Sequence, residues 1–244
     1  MITSKNNEII KQCIQIKQKK YSRQLGLCLI ETQKLVNELL KKGLITIVLC
    51  VERKLEELKN FKDVKVEIIS EQIAKYISDS STPDGVLGIC KIPDIDAIDY
   101  KKCLILDRIQ DPANLGAIIR SACAFGYNTI ISIDSVYPYS YKAIRSSMGN
   151  IFNINYIESN IDKTTELKKS NDINIFVADM YGENIDTIQL DKNKNKAIVI
   201  GNEGQGVSDD LRRLADKTVS IPMSENVESL NASVSAGIIM YLLK

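Results

Sequence analysis

The sequence predicts an α/β protein in two parts, with a mostly parallel sheet in the second part. Short apolar runs rich in Ile, Leu and Val alternate with helix-like segments along the chain, a pattern typical of strands buried between helices. The 244 residues are 44% hydrophobic and 26% charged, which is an ordinary globular mixture. Residues 91–100 contain Pro93 and three aspartates without a clear period, and we interpret them as a linker.

Residues 1–90 are predicted to form a small α/β domain with its sheet between helices. The pattern predicts helices at 6–24, 32–42, 52–61 and 70–77, and strands at 27–31, 45–51, 64–69 and 86–90. Residues 1–25 hold six lysines or arginines against one glutamate. A basic first helix can contact phosphates, and a solvated helix face is the alternative.

Residues 101–244 are predicted to form the larger domain. Strands are expected at 103–109, 129–134, 151–157, 173–179, 196–201 and 219–223, and helices at 114–125, 142–148, 163–169, 208–215 and 232–243. The last helix is apolar on several faces, so it must pack deep in its own domain or against a second subunit.

Several classes of chemistry are excluded by what the sequence lacks. There is no histidine, which removes Ser-His-Asp and Cys-His triads and histidine metal sites. The six cysteines form no C-x-x-C pair, and Cys50, Cys90 and Cys103 read as core residues of a reducing cytoplasm. We expect no metal. No apolar run approaches the roughly 18 residues of a membrane span, and the N-terminus is polar, so we expect a cytoplasmic protein without membrane contact.

The stretch AIVIGNEGQGVSDDL, residues 197–211, joins a predicted strand, a glycine-rich loop and a helix. This is the local plan of a nucleotide-binding site. The glycine spacing is G-x-x-G-x-G, not that of a dinucleotide fingerprint, and Gly206 precedes Val207, not the lysine of a phosphate-binding loop. A nucleotide without phosphates and a plain surface turn both remain possible at this point.

Three stretches of the second part each lie where a predicted strand ends and a predicted helix begins. They are residues 106–126 with an N-x-G-x-x-x-R core, residues 200–207, and residues 221–238, which begin I-P-M. In order and spacing they closely resemble the three motifs of SpoU/TrmH-type RNA ribose methyltransferases of the SPOUT class. Residues 142–152 resemble that family too. Residues 1–90, with TSKNNEIIK at 3–11 and STPDGVLGI at 81–89, resemble its small substrate-binding domain, which is similar to RNA-binding ribosomal proteins.

The resemblance implies transfer of a methyl group from S-adenosyl-L-methionine to a ribose 2′-hydroxyl of RNA, with ribosomal RNA as the first expectation. It also implies a C-terminal trefoil knot and a homodimer through the C-terminal domain. The cofactor is a nucleoside without phosphates, which agrees with the loop spacing. The residues implied to bind it are Gly201, Asn202, Gly204, Gly206, Ile221, Met223, Leu230, Ser233 and Ser235.

Arg120 is the first catalytic candidate. Its charge would stabilise a developing alkoxide and grip a phosphate, whereas a guanidinium is a very poor base. An ion pair on a helix face is the alternative role. The resemblance also implies active-site roles for Asn114, Glu203, Ser229 and Asn231. Glu203 is expected to hold Arg120 or the helix end, and a solvent-exposed turn carboxylate is the alternative. Helix capping is the alternative for Asn114. Ser229 and Asn231 are expected both to contact substrate and cofactor and to cap the last helix, and capping alone is the alternative.

Tyrosines at 137, 139 and 141 lie near Arg145 in the sequence and offer stacking faces, or are ordinary surface residues of a loop. The chain departs from the family at Glu225, where a glycine is usual, and at Thr32. Other functions that remain open are a tRNA ribose methyltransferase and a non-catalytic RNA-binding or ribosome-assembly protein on the same fold, while the glycine spacing disfavours an oxidoreductase. The residues expected to contact RNA are Lys5, Lys11, Lys142 and Arg145.

Overall fold

The chain divides into two compact units. The computed structural model describes residues 1–58, 64–95, 97–189, 191, 193–224 and 226–243. The first unit comprises Met1–Asp94 and Tyr139–Ile144, and the second comprises Ile95–Pro138 and Arg145–Lys244. None of the helices in the described part combines the length and apolarity that a membrane crossing requires.

The first unit contains a four-stranded mixed sheet with the order β1-β4-β2-β3. β4 pairs antiparallel with both β1 and β2, and β2 pairs parallel with β3. The strands are β1 (Leu27–Glu31), β2 (Ile45–Val51), β3 (Lys65–Ile69) and β4 (Val86–Lys91). The helices are α1 (Glu8–Ile16), α2 (Lys19–Leu25), α3 (Gln33–Lys41) and α4 (Glu71–Ile77), with a 3₁₀ helix at Glu52–Leu58.

The single helix predicted at 6–24 is wrong, because the chain breaks into α1 and α2. Gln18 between them is extended, with φ −87° and ψ 128°. α1 begins after Asn7, whose side chain accepts a hydrogen bond from the backbone N–H of Ile9. Its buried residues Ile10, Cys13 and Ile16 join the apolar core of this unit.

The second unit contains a six-stranded sheet in the order β10-β8-β9-β5-β6-β7, and every neighbouring pair is parallel. This confirms the predicted parallel sheet. The strands are β5 (Lys102–Asp107), β6 (Thr129–Ile133), β7 (Asn155–Ser159), β8 (Ile173–Asn184), β9 (Asn195–Ile200) and β10 (Lys217–Ser220). The helices are α5 (Pro112–Phe125), α6 (Tyr141–Ser146, which crosses the unit boundary), α7 (Ile161–Ser170), α8 (Asp209–Leu214) and α9 (Ala232–Leu242), with 3₁₀ turns at Asn150–Asn153 and Ile185–Thr187.

Both faces of this sheet are covered, which explains its continuous apolar strands. Ile105, Ile131 and Val199 belong to one buried cluster together with Leu211 of α8. α9 packs against α5 and β9. The buried hydroxyl of Tyr127 donates to the carbonyl of Leu243 at 3.1 Å, which fixes the end of the last helix.

Cys50, Cys90 and Cys103 are buried, which confirms their predicted place in the core. Five of the six cysteines are buried, Cys123 is half-buried, and all are free thiols. Burial raises the pKa of the Cys13 and Cys103 thiols to about 12. They are therefore protonated and inert at neutral pH.

Candidate functional site

A pocket of about 620 Å³ lies among the loops that follow the strands of the second unit. Parallel strands bring their carboxyl ends to one edge, where ligand sites of such sheets form. The glycine loop after β9, the segment after β10 and the end of β8 supply its walls. Eight of the nine residues expected to bind the cofactor line it, and Ser233 does not.

The glycine loop closes on itself between Asn202 and Gly206. Asn202 donates its backbone N–H to the carbonyl of Gly206 at 3.0 Å, and the reverse bond measures 2.9 Å. The side-chain oxygen of Asn202 accepts from the N–H groups of Gly204 and Gln205, both at 2.9 Å. A Cβ on Gly201 would lie 2.3 Å from the carbonyl carbon of Gly206, so only glycine permits this closure.

A hydrogen-bonded chain of three side chains joins the three motifs. Asn231 donates its Nδ2 to Oδ1 of Asn114 at 3.0 Å. Asn114 in turn donates its Nδ2 to Oε1 of Glu203 at 2.9 Å. The structure therefore brings together three of the five predicted catalytic residues, and each comes from a different motif.

The role of Asn114 as a helix cap is wrong. α5 begins at Pro112, and Asp111 is its N-cap, accepting from the N–H of Ala113 at 2.8 Å. Pro at the first helical position, with Asp before it, is a start signal that the sequence offered. Asn114 is buried in the first turn of the helix and donates to Glu203 instead.

Glu203 holds the beginning of α5. Its carboxylate accepts from the N–H groups of Gln110 and Asp111, each at 3.3 Å, besides Asn114. Partial burial alone would raise the pKa of Glu203, but these hydrogen bonds together lower it below its usual value. Of the two partners considered for Glu203, the helix end is the one observed.

Asn231 caps the last helix and also contacts Asn114, while it is not among the residues that line the pocket. Its side-chain oxygen accepts from the N–H of Ser233 at 2.9 Å and from the Ser233 hydroxyl at 2.6 Å, which caps α9. Its amide nitrogen meanwhile reaches Asn114. Ser233 therefore donates to the cap at the helix start, while Ser229 is exposed and lines the pocket.

Arg120 takes no part in the hydrogen bonds that join Glu203, Asn114 and Asn231. It is exposed on α5, and among the described residues it makes no hydrogen bond or ion pair. The glycine that precedes it by one turn has a packing role. A Cβ on Gly116 would lie 2.0 Å from the hydroxyl of Ser146, which itself donates to the carbonyl of Pro112 at 3.0 Å.

The charges of the pocket suit a ligand that is positive and carries no phosphate. The described residues that line it include three carboxylates, those of Asp179, Glu203 and Glu228. Arg212 is the cation among the described lining residues, and it is ion-paired with Asp179 while its Nε donates to the carbonyl of Val207 at 3.0 Å. The volume also fits a nucleoside-sized ligand. S-adenosylmethionine carries sulfonium and ammonium charges, and these suit a pocket lined by carboxylates.

One wall of the pocket is not marked by any sequence motif. Asp179, Met180 and Tyr181 line it from β8, which continues to Asn184, beyond the predicted end at 179. Tyr181 is 89% exposed at the rim. The segment has no period-two pattern, so composition alone did not mark it as a strand.

The residues expected to contact RNA have different surroundings. Lys5 lies over the ring of Tyr76, with its Nζ 4.2 Å from the ring centroid. Lys11, Lys142 and Arg145 are exposed. The stacking role proposed for Tyr137 is wrong because its side chain is buried, and the tyrosines at 139 and 141 are half-buried.

No cluster of three or more His, Cys, Asp or Glu side chains suited to a metal ion occurs among the residues that the structure describes. The departure at Glu225 lies outside the described residues. Thr32, the other departure, is described and has a positive φ of 82° immediately before α3.

Known proteins and solved structures are similar to this chain over most of its length. The 23S rRNA (guanosine(2553)-2′-O)-methyltransferase RlmP of Bacillus subtilis is 26% identical over 245 residues, covering 100% of this chain and 98% of that protein. A 23S rRNA (uridine(2479)-2′-O)-methyltransferase of Streptomyces viridochromogenes is 28% identical over 76% of this chain and 69% of its own length. The crystal structure of an AdoMet-bound rRNA methyltransferase from Sinorhizobium meliloti superposes with a TM-score of 0.88 at 27% identity, covering 99% of this chain and 95% of that one.

Two protein families match different parts of the chain. Residues 7–88 match the MRM3-like substrate binding domain. Residues 101–241 match the SpoU rRNA Methylase family. The predicted family, methyltransferase activity and cofactor are thereby confirmed, and the chain belongs to the SpoU rRNA methylase family.

Proposed function

We propose that this protein transfers a methyl group from S-adenosylmethionine to a ribose 2′-hydroxyl of ribosomal RNA. The observation that carries the proposal is the hydrogen-bonded chain from Glu203 through Asn114 to Asn231 beside a phosphate-free nucleoside pocket. Full-length similarity to a 23S rRNA 2′-O-methyltransferase supports the same activity. We expect it to act in the cytoplasm.

The chain's own task in this reaction is alignment and charge stabilisation. S-adenosylmethionine supplies an already electrophilic methyl group, so no metal is required. The backbone of the glycine loop, with Ile221, Met223 and Leu230, would hold the nucleoside through neutral contacts. Alignment of reacting groups can supply roughly 7–11 kcal/mol of barrier reduction.

Glu203 is a poor acceptor for the hydroxyl proton. Its carboxylate already accepts three hydrogen bonds, and its pKa is lowered. We assign it the role of fixing Asn114 and the start of α5. The Asn114 and Asn231 amides are then held as neutral polar groups next to the pocket.

Arg120 is the group proposed to stabilise the developing alkoxide or a neighbouring phosphate. It is exposed, so an anion arriving from solution can meet it. A guanidinium keeps its proton in proteins, which favours an electrostatic role over that of a base.

Ribosomal RNA is preferred over transfer RNA as the substrate. The two curated relatives described above are named for 23S rRNA, and residues 7–88 match a substrate-binding domain. We propose that residues 1–90 supply RNA affinity and residues 101–244 hold the cofactor. A non-catalytic assembly role on this fold is disfavoured because the described motif side chains remain connected.

We further propose a homodimer through α9. Val234 and Leu242 on this helix are 48% and 43% exposed, although a helix this apolar is expected to be covered. A second copy of the same chain would bury these side chains without requiring any other partner.

Purified protein incubated with radiolabelled S-adenosylmethionine and unmodified ribosomal or transfer RNA tests the proposal. Label should enter ribosomal RNA at a ribose 2′ oxygen and should not enter transfer RNA. Binding of both RNAs without any methylation would favour the assembly role. Methylation of transfer RNA alone would contradict ribosomal RNA as the substrate.

A further inference from the structure

Arg108 has an unusual backbone for its residue type. It follows β5 directly and has a φ of +55°, the left-handed region that L side chains rarely adopt. Its backbone N–H donates to the carbonyl of Ile133 at 2.9 Å. Its carbonyl accepts from Nδ2 of Asn202 at 2.8 Å and from the Gln110 side chain at 3.2 Å. Such a conformation persists only where its surroundings determine it.

The side chain of Arg108 bridges β5 and the back of the glycine loop. Its Nε and one terminal nitrogen donate to the two carboxylate oxygens of Asp107 at 3.0 and 3.2 Å. The other terminal nitrogen donates to Oε1 of Gln205 at 2.8 Å, and the first also reaches the carbonyl of Gly206 at 3.2 Å. Gln205 and Gly206 both line the pocket, whereas Arg108 does not.

Asp107 is a firm anchor for this bridge because its side chain is only 2% exposed. The same carboxylate accepts the backbone N–H of Ser208 at 2.6 Å, immediately before α8. The strand end, the glycine loop and the start of α8 therefore meet at one ion pair. A planar guanidinium can make these contacts together, whereas a lysine ammonium is a point charge.

We propose that Arg108 is a positioning residue that holds the Asn202–Gly206 loop in the conformation that receives S-adenosylmethionine. The inference rests on the proposed function, since it assumes that this pocket takes that cofactor. Arg108 acts from behind the loop, so it contributes through the carbonyl of Gly206 and the side chain of Gln205.

This arrangement predicts an effect on cofactor affinity and not on the chemical step. Without the guanidinium, the loop must be ordered when the cofactor binds, and ordering reduces affinity. Loss of hydrogen bonds between charged and polar groups corresponds to about ten- to a hundredfold weaker binding. Once the cofactor is bound, the loop is in place and the turnover rate is preserved.

The test compares Arg108→Gly, Arg108→Lys and the wild-type protein. Glycine accepts the positive φ, so this variant removes the side chain without adding backbone strain. Arg213→Ala is the matched control, because Arg213 is an exposed arginine of α8 that pairs with Asp210 and does not line the pocket. Calorimetric titration with S-adenosylhomocysteine measures affinity, and hydrogen exchange in ligand-free protein measures the order of the loop.

The expected result for Arg108→Gly is at least about tenfold weaker binding, faster exchange at residues 202–206 that slows on binding, and a raised KM for the cofactor with kcat within about threefold. Arg108→Lys should be intermediate, and Arg213→Ala unchanged. Equal affinity and exchange in Arg108→Gly, an equal loss in Arg213→Ala, or a fall in kcat alone would each overturn the inference. Failure of the wild-type protein to bind S-adenosylhomocysteine would instead contradict the proposed function.

Discussion

Asn231 and Asn114 share a hydrogen bond of 3.0 Å although they lie 117 residues apart in the chain. The bond joins the cap of the last helix to the first turn of α5. The orientation of Asn114 is fixed from its other side, because its Nδ2 donates to Glu203. Correct placement of each motif therefore depends on the other two.

Replacing Asn231 separates its two roles. Asn231→Asp keeps an oxygen that caps α9 and adds a charge that favours a helix N-terminus, but it cannot donate to Asn114. We expect near wild-type thermal stability and strongly reduced methyl transfer. Asn231→Ala should lose activity and also about 1 kcal/mol of stability, or roughly 2–4 °C in Tm. Full activity of the Asp variant would show that the bond to Asn114 is dispensable.

Arg120→Ala should leave the fold and cofactor affinity nearly intact, because Arg120 does not line the pocket. Methyl transfer should fall by about two to three orders of magnitude, the cost of removing one charge-stabilising donor. Single-turnover methylation and S-adenosylhomocysteine titration measure the two quantities. Methylation by this variant at the wild-type rate would remove Arg120 from the mechanism.

Arg120→Lys distinguishes charge stabilisation from proton abstraction. Lysine keeps the charge but loses the planar fork that grips a phosphate. If the residue acts electrostatically, the Lys variant stays poor at every pH. A steep rise of its activity at alkaline pH would indicate that the residue acts as a base.

The lowered pKa of Glu203 predicts a specific dependence of stability on pH. A carboxylate with a lowered folded-state pKa stabilises the protein above its unfolded pKa, about 4.5, and this stabilisation is lost as pH falls through the lower folded value. The Tm difference between wild type and Glu203→Gln should therefore be constant from about pH 8 to 5.5 and shrink below about 4.5. A difference that grows on acidification would contradict the hydrogen-bonded carboxylate.

Val234→Glu tests the proposed dimer. Val234 is 48% exposed in the single chain, so the change should barely affect the stability of a monomer. In a dimer through α9 it would bury a charge, and sedimentation should shift toward the monomer. Ile95→Glu also replaces an exposed apolar side chain by glutamate, outside the helices, and serves as the control. A wild-type protein that is an active monomer at micromolar concentration would refute the dimer.

The RNA-binding role of the first unit depends on its lysines. Lys11→Glu should weaken RNA binding and reduce the slope of log affinity against log salt by about one or more, because fewer counterions are released. Lys163→Glu on α7 carries the same change of charge in the second unit and is the control. Identical slopes for both variants and wild type would show that Lys11 does not contact the RNA.

Much of the fold was predictable because the strands of the second unit are buried on both faces and form continuous apolar runs. The convergence of the motifs also followed, since parallel strands bring their ends to one edge. Ends of elements were less predictable. The break at Gln18 has no Gly or Pro to mark it, and β8 runs to Asn184 through a segment without period.

The contacts that organise the site depend on tertiary structure and could not be predicted from local sequence. Arg108 looks like an ordinary loop residue until the fold brings it to Gln205, 97 residues away. Asp111 with Pro112 after it marks the start of α5, and Asn114 lies two residues inside the helix. Burial of Tyr137 likewise follows from packing and not from composition.

The most direct test of the central claim is a map of 2′-O-methylated riboses in the ribosomal and transfer RNA of a strain that lacks this gene, complemented with wild type or Arg120→Ala. We expect that one ribose methyl group disappears from ribosomal RNA, returns with wild type and stays absent with Arg120→Ala. An unchanged ribosomal RNA map, or restoration by Arg120→Ala, would contradict it.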